Sequence, residues 1–120
     1  MRVLIVDDSK AMRMIVTRAL RQSSAAVSEI HEAGDGAEGL AAVAEFSPDL
    51  ILCDWNMPNM NGLEFLTELR AQGNETTFGF VTSESNPAIR QAGVSAGASF
   101  LLTKPFTGER LDEALGTLVS

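Results

Sequence analysis

The sequence predicts an α/β fold: a five-stranded, mostly parallel sheet with helices packed on both of its faces. Three observations predict it. Strand-like and helix-like hydrophobic patterns alternate along all 120 residues, giving five successive βα units. The strongest strand-like runs, "RVLIV" (2–6) after its arginine and "LILC" (50–53), are continuously apolar, as strands covered on both faces are. No linker, repeat or low-complexity stretch interrupts the pattern, so one domain is expected over 1–120, with right-handed crossovers.

Taken in order, "RVLIV" is rich in β-branched residues and opens the chain as a buried strand. Met12, Ile15, Val16, Ala19 and Leu20 then repeat at the spacing of one helix face, and Ser9 suits the N-cap. "VSEIHEA" (27–33) alternates and reads as a weaker, more exposed strand. Gly34–Asp35–Gly36 is a turn, Ala37 to Phe46 a second helix, and Pro48–Asp49 its break. After "LILC" a third helix is expected from about Leu63 to Arg70, with Phe65, Leu66 and Leu69 apolar and Gly73–Asn74 ending it. "FGFVT" (78–82) is the fourth strand, and Asn86–Pro87 a cap and first-turn pair for a fourth helix. The small or apolar face of that helix is Ile89, Ala92, Gly93 and Ala96. "SFLLT" (99–103) is a fifth strand, and Leu111, Ala114, Leu115 and Leu118 mark the last helix.

Composition narrows the function classes. Nine cations against sixteen acidic residues give a formal charge of −7, which repels nucleic acid. No apolar run reaches the length of a membrane span, and no secretory segment is expected ahead of the first strand. One cysteine, Cys53, cannot form an internal disulfide, and a cytoplasmic location is the expectation.

In sheets of this kind ligands sit outside the carboxyl ends of the strands. There the sequence puts Asp7–Asp8 after strand one, Asp54 after strand three, Thr82 after strand four and Lys104–Pro105 after strand five. Carboxylates gathered from separate segments repel one another and want a cation. An all-oxygen set suits a hard divalent ion, Mg²⁺ best, whereas His31 stands alone and supplies no zinc site. With Lys104 and the Thr82 hydroxyl, such a site would neutralise a tetrahedral dianion, and Asp54 could then accept a phosphoryl group.

"VDDS" (6–9), "DWNMPNMNGLEFL" (54–66), "VTSE" (81–84), "AGAS" (96–99) and "KPFT" (104–107) resemble response-regulator receiver domains. Among these the single-domain chemotaxis regulators are the most similar, and the match runs through essentially the whole chain. The resemblance implies a flavodoxin-like strand order of 2-1-3-4-5. It implies Asp54 as phosphoacceptor, and Asp7, Asp8, Asp54 and the Asn56 backbone carbonyl as the Mg²⁺ site. Thr82 and Lys104 would each contact a phosphoryl oxygen, and the Lys104–Pro105 bond would be cis. A histidine kinase would be the phosphodonor. The target, a flagellar motor switch component, would dock on the face of the fourth helix, fifth strand and fifth helix. A phosphatase is a further expected partner; nucleic acid and membrane are not, and the free protein is expected to be a monomer without an output domain. Catalysis would be confined to the protein's own phosphorylation and dephosphorylation.

Two positions depart from the family pattern. Leu101 stands where the family's switch aromatic is found, and Phe100 beside it must point to the opposite face of the sheet. Ser83 replaces the usual alanine. Asn56 and Glu84, by contrast, match the pair that such chemotaxis regulators carry to tune hydrolysis of the acyl phosphate, and predict a short-lived signal.

Singly, these residues have ordinary readings. Asp7–Asp8 could serve a helix start, Thr82 a turn and Lys104 the solvated surface. Only the set argues for chemistry. Cys53, His31 and Met12 read as packing residues, Met57 and Met60 as loop-shaping, and Trp55 as a half-exposed packing residue. A phosphatase of the haloacid dehalogenase type would want an aspartate at Asn56. A flavodoxin-like phosphate loop would not begin "DDSKAM". A phosphorelay shuttle, or a receiver cut from a longer regulator, is the alternative within the family.

Overall fold

All five predicted βα units are present. The computed structural model describes residues 1–83, 86–104 and 106–119, the side chains of 117–119 excepted. The elements are β1 (Arg2–Val6), α1 (Lys10–Gln22), β2 (Glu29–Ala33), α2 (Gly36–Phe46), β3 (Leu50–Asp54), α3 (Gly62–Ala71), β4 (Thr77–Thr82), α4 (Pro87–Ala96), β5 (Phe100–Thr103) and α5 (Gly108–Val119). Every strand pair is parallel, and the order is β2-β1-β3-β4-β5.

Strand alternation sorts the core into two layers. Val3, Ile5, Leu50 and Leu52 point to the side where Val16, Ala19 and Leu20 of α1 and Leu111 of α5 pack. Leu4, Val6, Ile51 and Cys53 point to the other, beneath Val43 of α2 and Phe65, Leu66 and Leu69 of α3. Both sets are buried, which is why β1 and β3 read as unbroken apolar runs. β2 lies at the sheet edge, and Glu29, His31 and Glu32 are exposed there. His31 stacks on Phe46 with ring centroids 3.6 Å apart, a structural use of the one histidine.

The caps behave as their residue types predict. Ser9 Oγ accepts from the Met12 N–H, and Asn86 Oδ1 from the Ile89 N–H ahead of Pro87. Asn61 and Glu64 close a reciprocal capping box at α3. Two helix expectations change. Ile15, expected on the buried face of α1, is 44% exposed, because the stripe that meets the sheet centres on Val16, Ala19 and Leu20 and leaves position 15 on its flank. In α4 only Gly93 is buried; Ile89, Ala92 and Ala96 are half-buried. The side chain of Leu118 falls outside the described residues. β2 starts at Glu29, where its register with β1 begins opposite Arg2, rather than at Val27.

β1 has β2 on one flank and β3 on the other, so the chain reverses direction across the sheet between β1 and β3. The carboxyl ends of those two strands therefore flank the crevice where ligands bind in open sheets.

Candidate functional site

The carboxyl ends of β1 and β3 put two carboxylates on either side of that crevice. Asp7 follows β1 directly and is 3% exposed. Its Oδ1 accepts the Ser9 N–H at 2.9 Å, and its Oδ2 accepts Lys104 Nζ at 3.0 Å. Asp54 closes β3, and its Oδ1 accepts the Trp55 N–H at 2.8 Å. Lys104 Nζ also stands 3.3 Å from that same oxygen, so one ammonium bridges carboxylates from two strands. Asp8 is exposed beside them, and the three aspartates offer oxygens that all lie within 4.8 Å of one another.

The other half of the site comes from β4 and β5. The Lys104 N–H donates to the Thr82 carbonyl at 2.7 Å, which ties the two strand ends together. Thr82 is fully buried and follows Val81, the register partner of Asp54, so it lies at the same edge of the sheet. Asn56 is exposed in the loop after Asp54, and Ser83 is exposed beside Thr82. Pro105 and Glu84 lie outside the described residues, and with them the expectations for a cis bond and for the hydrolysis-tuning pair.

Three carboxylates facing one ammonium leave a formal excess of two negative charges in a small volume. Burial pushes the Asp54 carboxyl above its usual range; Lys104 draws it back down and Asp7 adds to the rise. Burial likewise pushes the Cys53 thiol well up, with the neighbouring aspartates adding, so this cysteine is a neutral packing group. A divalent cation would relieve this repulsion, and the oxygen-only donor set fits a hard one. Asp7, Asp8 and Asp54 therefore form an acidic cluster able to hold a metal ion.

Several residues that build the site carry no residue-type signal in the sequence. The amides of Ser9 and Trp55 orient Asp7 and Asp54, and any residue could supply them. Arg13 donates from Nη1 to the Asp7 carbonyl at 2.6 Å and from Nε to Glu32 at 2.8 Å, clamping the end of β1 to β2. Its position one turn into the first helix was the available clue. The Trp55 ring packs on Phe80, centroids 4.7 Å apart, and reaches Gly93 of α4. Leu101 packs into the α2–α4 layer and Phe100 into the other, as strand alternation requires.

Residues 3–116 match the model of the response regulator receiver domain. The chain belongs to that family. Receiver domains are phosphoacceptor signalling domains that work with histidine kinases and downstream targets. This receiver is 35% identical over 116 residues to the "Probable chemotaxis protein CheY" of Rhizobium etli, covering 95% of this chain and 88% of that one. It is 37% identical over 111 residues to the response regulator MprA of Mycobacterium avium, covering 92% of this chain and 47% of MprA. It thus spans about half of that regulator's length. Among solved structures, Vibrio cholerae CheY4 superposes with a TM-score of 0.84 at 36% identity, covering 97% of this receiver and 96% of CheY4. The NarL signal receiver domain of Mycobacterium tuberculosis gives 0.87 at 31%, covering 98% and 94%. Among the described residues no helix of the receiver is long and apolar enough to cross a membrane.

Proposed function

We propose that this receiver is a Mg²⁺-dependent phosphoacceptor that takes a phosphoryl group from the phosphohistidine of a histidine kinase onto Asp54. The observation that carries the proposal is Lys104 Nζ, held at 3.0 Å from Asp7 and 3.3 Å from Asp54 within a cluster of three aspartates.

The chemistry follows from the side chains. An ionised Asp54 oxygen attacks phosphorus, the phosphorus–nitrogen bond breaks, and its electron pair returns to the donor imidazole. No proton leaves Asp54, so no separate base is required. Asp7, Asp8 and the Asn56 carbonyl would hold Mg²⁺ together with Asp54, and the bound ion would supply positive charge against the phosphoryl oxygens. Lys104, 3.3 Å from Asp54, would shift its ammonium to one phosphoryl oxygen, and the Thr82 hydroxyl would take another. The protein catalyses its own phosphorylation and dephosphorylation and acts on no other substrate.

Phosphorylation then shifts a two-state equilibrium between Thr82 and the α4–β5–α5 face. A cavity of about 430 Å³ opens on that face, lined by Leu101, Thr103 and Phe106 between the exposed Arg90 and Arg110. Two cations beside an apolar floor suit an acidic target segment with an apolar anchor. Likeness to the Rhizobium and Vibrio proteins favours a chemotaxis role, in the cytoplasm, with a flagellar motor switch component as target. The half-length match to MprA favours a second reading, the receiver of a longer regulator or a phosphorelay shuttle. Adding acetyl phosphate or beryllofluoride with and without Mg²⁺, while following Trp55 fluorescence, tests the site. A change that needs both additions is expected; a signal indifferent to Mg²⁺ sinks the proposal.

A further inference from the structure

The loop from Asp54 to α3, which carries Asn56, is pinned to the start of α2. Asn59 Nδ2 donates to Asp35 Oδ2 at 2.9 Å across 24 positions of sequence. One residue further along each segment, the Gly36 N–H donates to the Met60 carbonyl at 3.2 Å. A Cβ on Gly36 would lie 2.7 Å from Met60 Cγ, so the two segments meet without room for a side chain. Asn59 sits at φ 66°, a left-handed conformation that asparagine tolerates better than most residues. At the far end the Gly62 N–H donates to the Trp55 carbonyl at 3.1 Å. Residues 56–58 lie between these two pins.

Asp35 divides its oxygens between two tasks. Oδ1 caps α2 by accepting the Glu38 N–H at 2.8 Å. The cap needs only that one oxygen, and a serine would serve it nearly as well. Oδ2 is left to reach across to the loop. The Glu38 amide, and after it the Asn59 amide, hold the Asp35 carboxyl below its usual range, so the bridge keeps its charged acceptor.

We infer that the Asp35–Asn59 bridge is a positioning device that preforms the loop, so that a divalent cation at Asp7 and Asp8 meets the Asn56 carbonyl without first ordering it. Binding to a preformed loop avoids the entropy of fixing it, and groups behind a ligand tune metal affinity in the same way. The inference rests on the proposed Mg²⁺ site.

The test is a double-mutant cycle on the intact chain, titrated with Mg²⁺ and read by Trp55 fluorescence and NMR amide shifts, well below each variant's melting temperature. Asp35→Ser keeps the cap and removes the bridge; Asn59→Gly keeps the positive φ and removes the donor. Each single variant is expected to weaken Mg²⁺ binding by about threefold to tenfold. Asp35→Ser should have no further effect in the Asn59→Gly background, because the two act through one contact. If both single variants bind Mg²⁺ as the wild type does, the bridge positions nothing. If their effects simply add, Asp35 acts by its charge or Asn59→Gly by loosening the chain, and the inference also fails. A wild type that shows no Mg²⁺ response in either signal would instead overturn the metal site itself.

Discussion

Lys104 pulls in two directions. Its ammonium offsets the charges of Asp7 and Asp54, and a metal held by the three aspartates would offset the same charges. Removing it leaves the Asp7 carboxylate, which is almost fully buried, with only the Ser9 amide for a partner among its described hydrogen bonds. Lys104→Ala should therefore cost about 1–3 kcal/mol in metal-free buffer. It should also tighten Mg²⁺ binding, so that Mg²⁺ raises the variant's melting temperature more than the wild type's. Thermal melts with and without Mg²⁺ check both signs; weaker Mg²⁺ binding in the variant would contradict this role. Asp54 carries the complementary prediction. Its carboxyl holds a proton more tightly folded than unfolded, so stability is full below the ordinary carboxyl pKa and falls as pH rises through the raised value. In buffer free of divalent ions, Asp54→Asn should melt a few degrees higher than wild type at pH 7. The gain should shrink below about pH 4, where both states of the wild type are protonated. An unchanged or lower melting temperature at pH 7 would mean that Lys104 outweighs burial and the Asp7 charge together.

At the scale of elements, the site depends on how closely α3 returns to β3. A Cβ on Gly62 would fall 2.2 Å from the Asp54 carbonyl oxygen and 2.9 Å from the Phe80 ring. Backbone cannot yield as a flexible side chain can, so Gly62→Ala should destabilise by about 2 kcal/mol or more and displace the Asp54 carbonyl. Urea melts and the Mg²⁺ response of Trp55 measure the two effects. None of this was legible in "NGLEFL", where Gly62 looks like an ordinary turn residue. What the sequence does carry is periodicity. Val3, Leu4, Ile5 and Val6 had to form a strand covered on both faces, and the topology of five βα units then brought Asp7, Asp54 and Lys104 to one edge. Ile15 shows the limit of the same signal. Its spacing fits the buried face of α1, but the roll of that helix on the sheet is set by α5 and by Val16, Ala19 and Leu20. Contacts such as Arg13 with the Asp7 carbonyl, or Asp35 with Asn59, depend on loop conformation and leave no periodic trace.

For the whole molecule, the proposed output lies on the face that also holds two of its nine cations, Arg90 and Arg110, in a chain of formal charge −7. An acidic target should lose affinity several-fold with Arg90→Ala or Arg110→Ala, and its binding should depend less on salt. Titrations at two ionic strengths would show it, and an unaltered salt dependence would place the target elsewhere. If Asp54 is the phosphoacceptor, as proposed, its signal has to cross to that face without a switch aromatic at Leu101. The tilted contact of Trp55 with Phe80, beside Gly93, is one route from the loop after Asp54 into α4. All of this stands on Asp54 accepting a phosphoryl group. The most direct measurement is the intact mass of the protein after incubation with acetyl phosphate, with and without Mg²⁺, for wild type and Asp54→Asn. One added phosphoryl group that requires Mg²⁺ and is absent from Asp54→Asn is expected. An adduct that persists in Asp54→Asn, or that forms equally well without Mg²⁺, would contradict it.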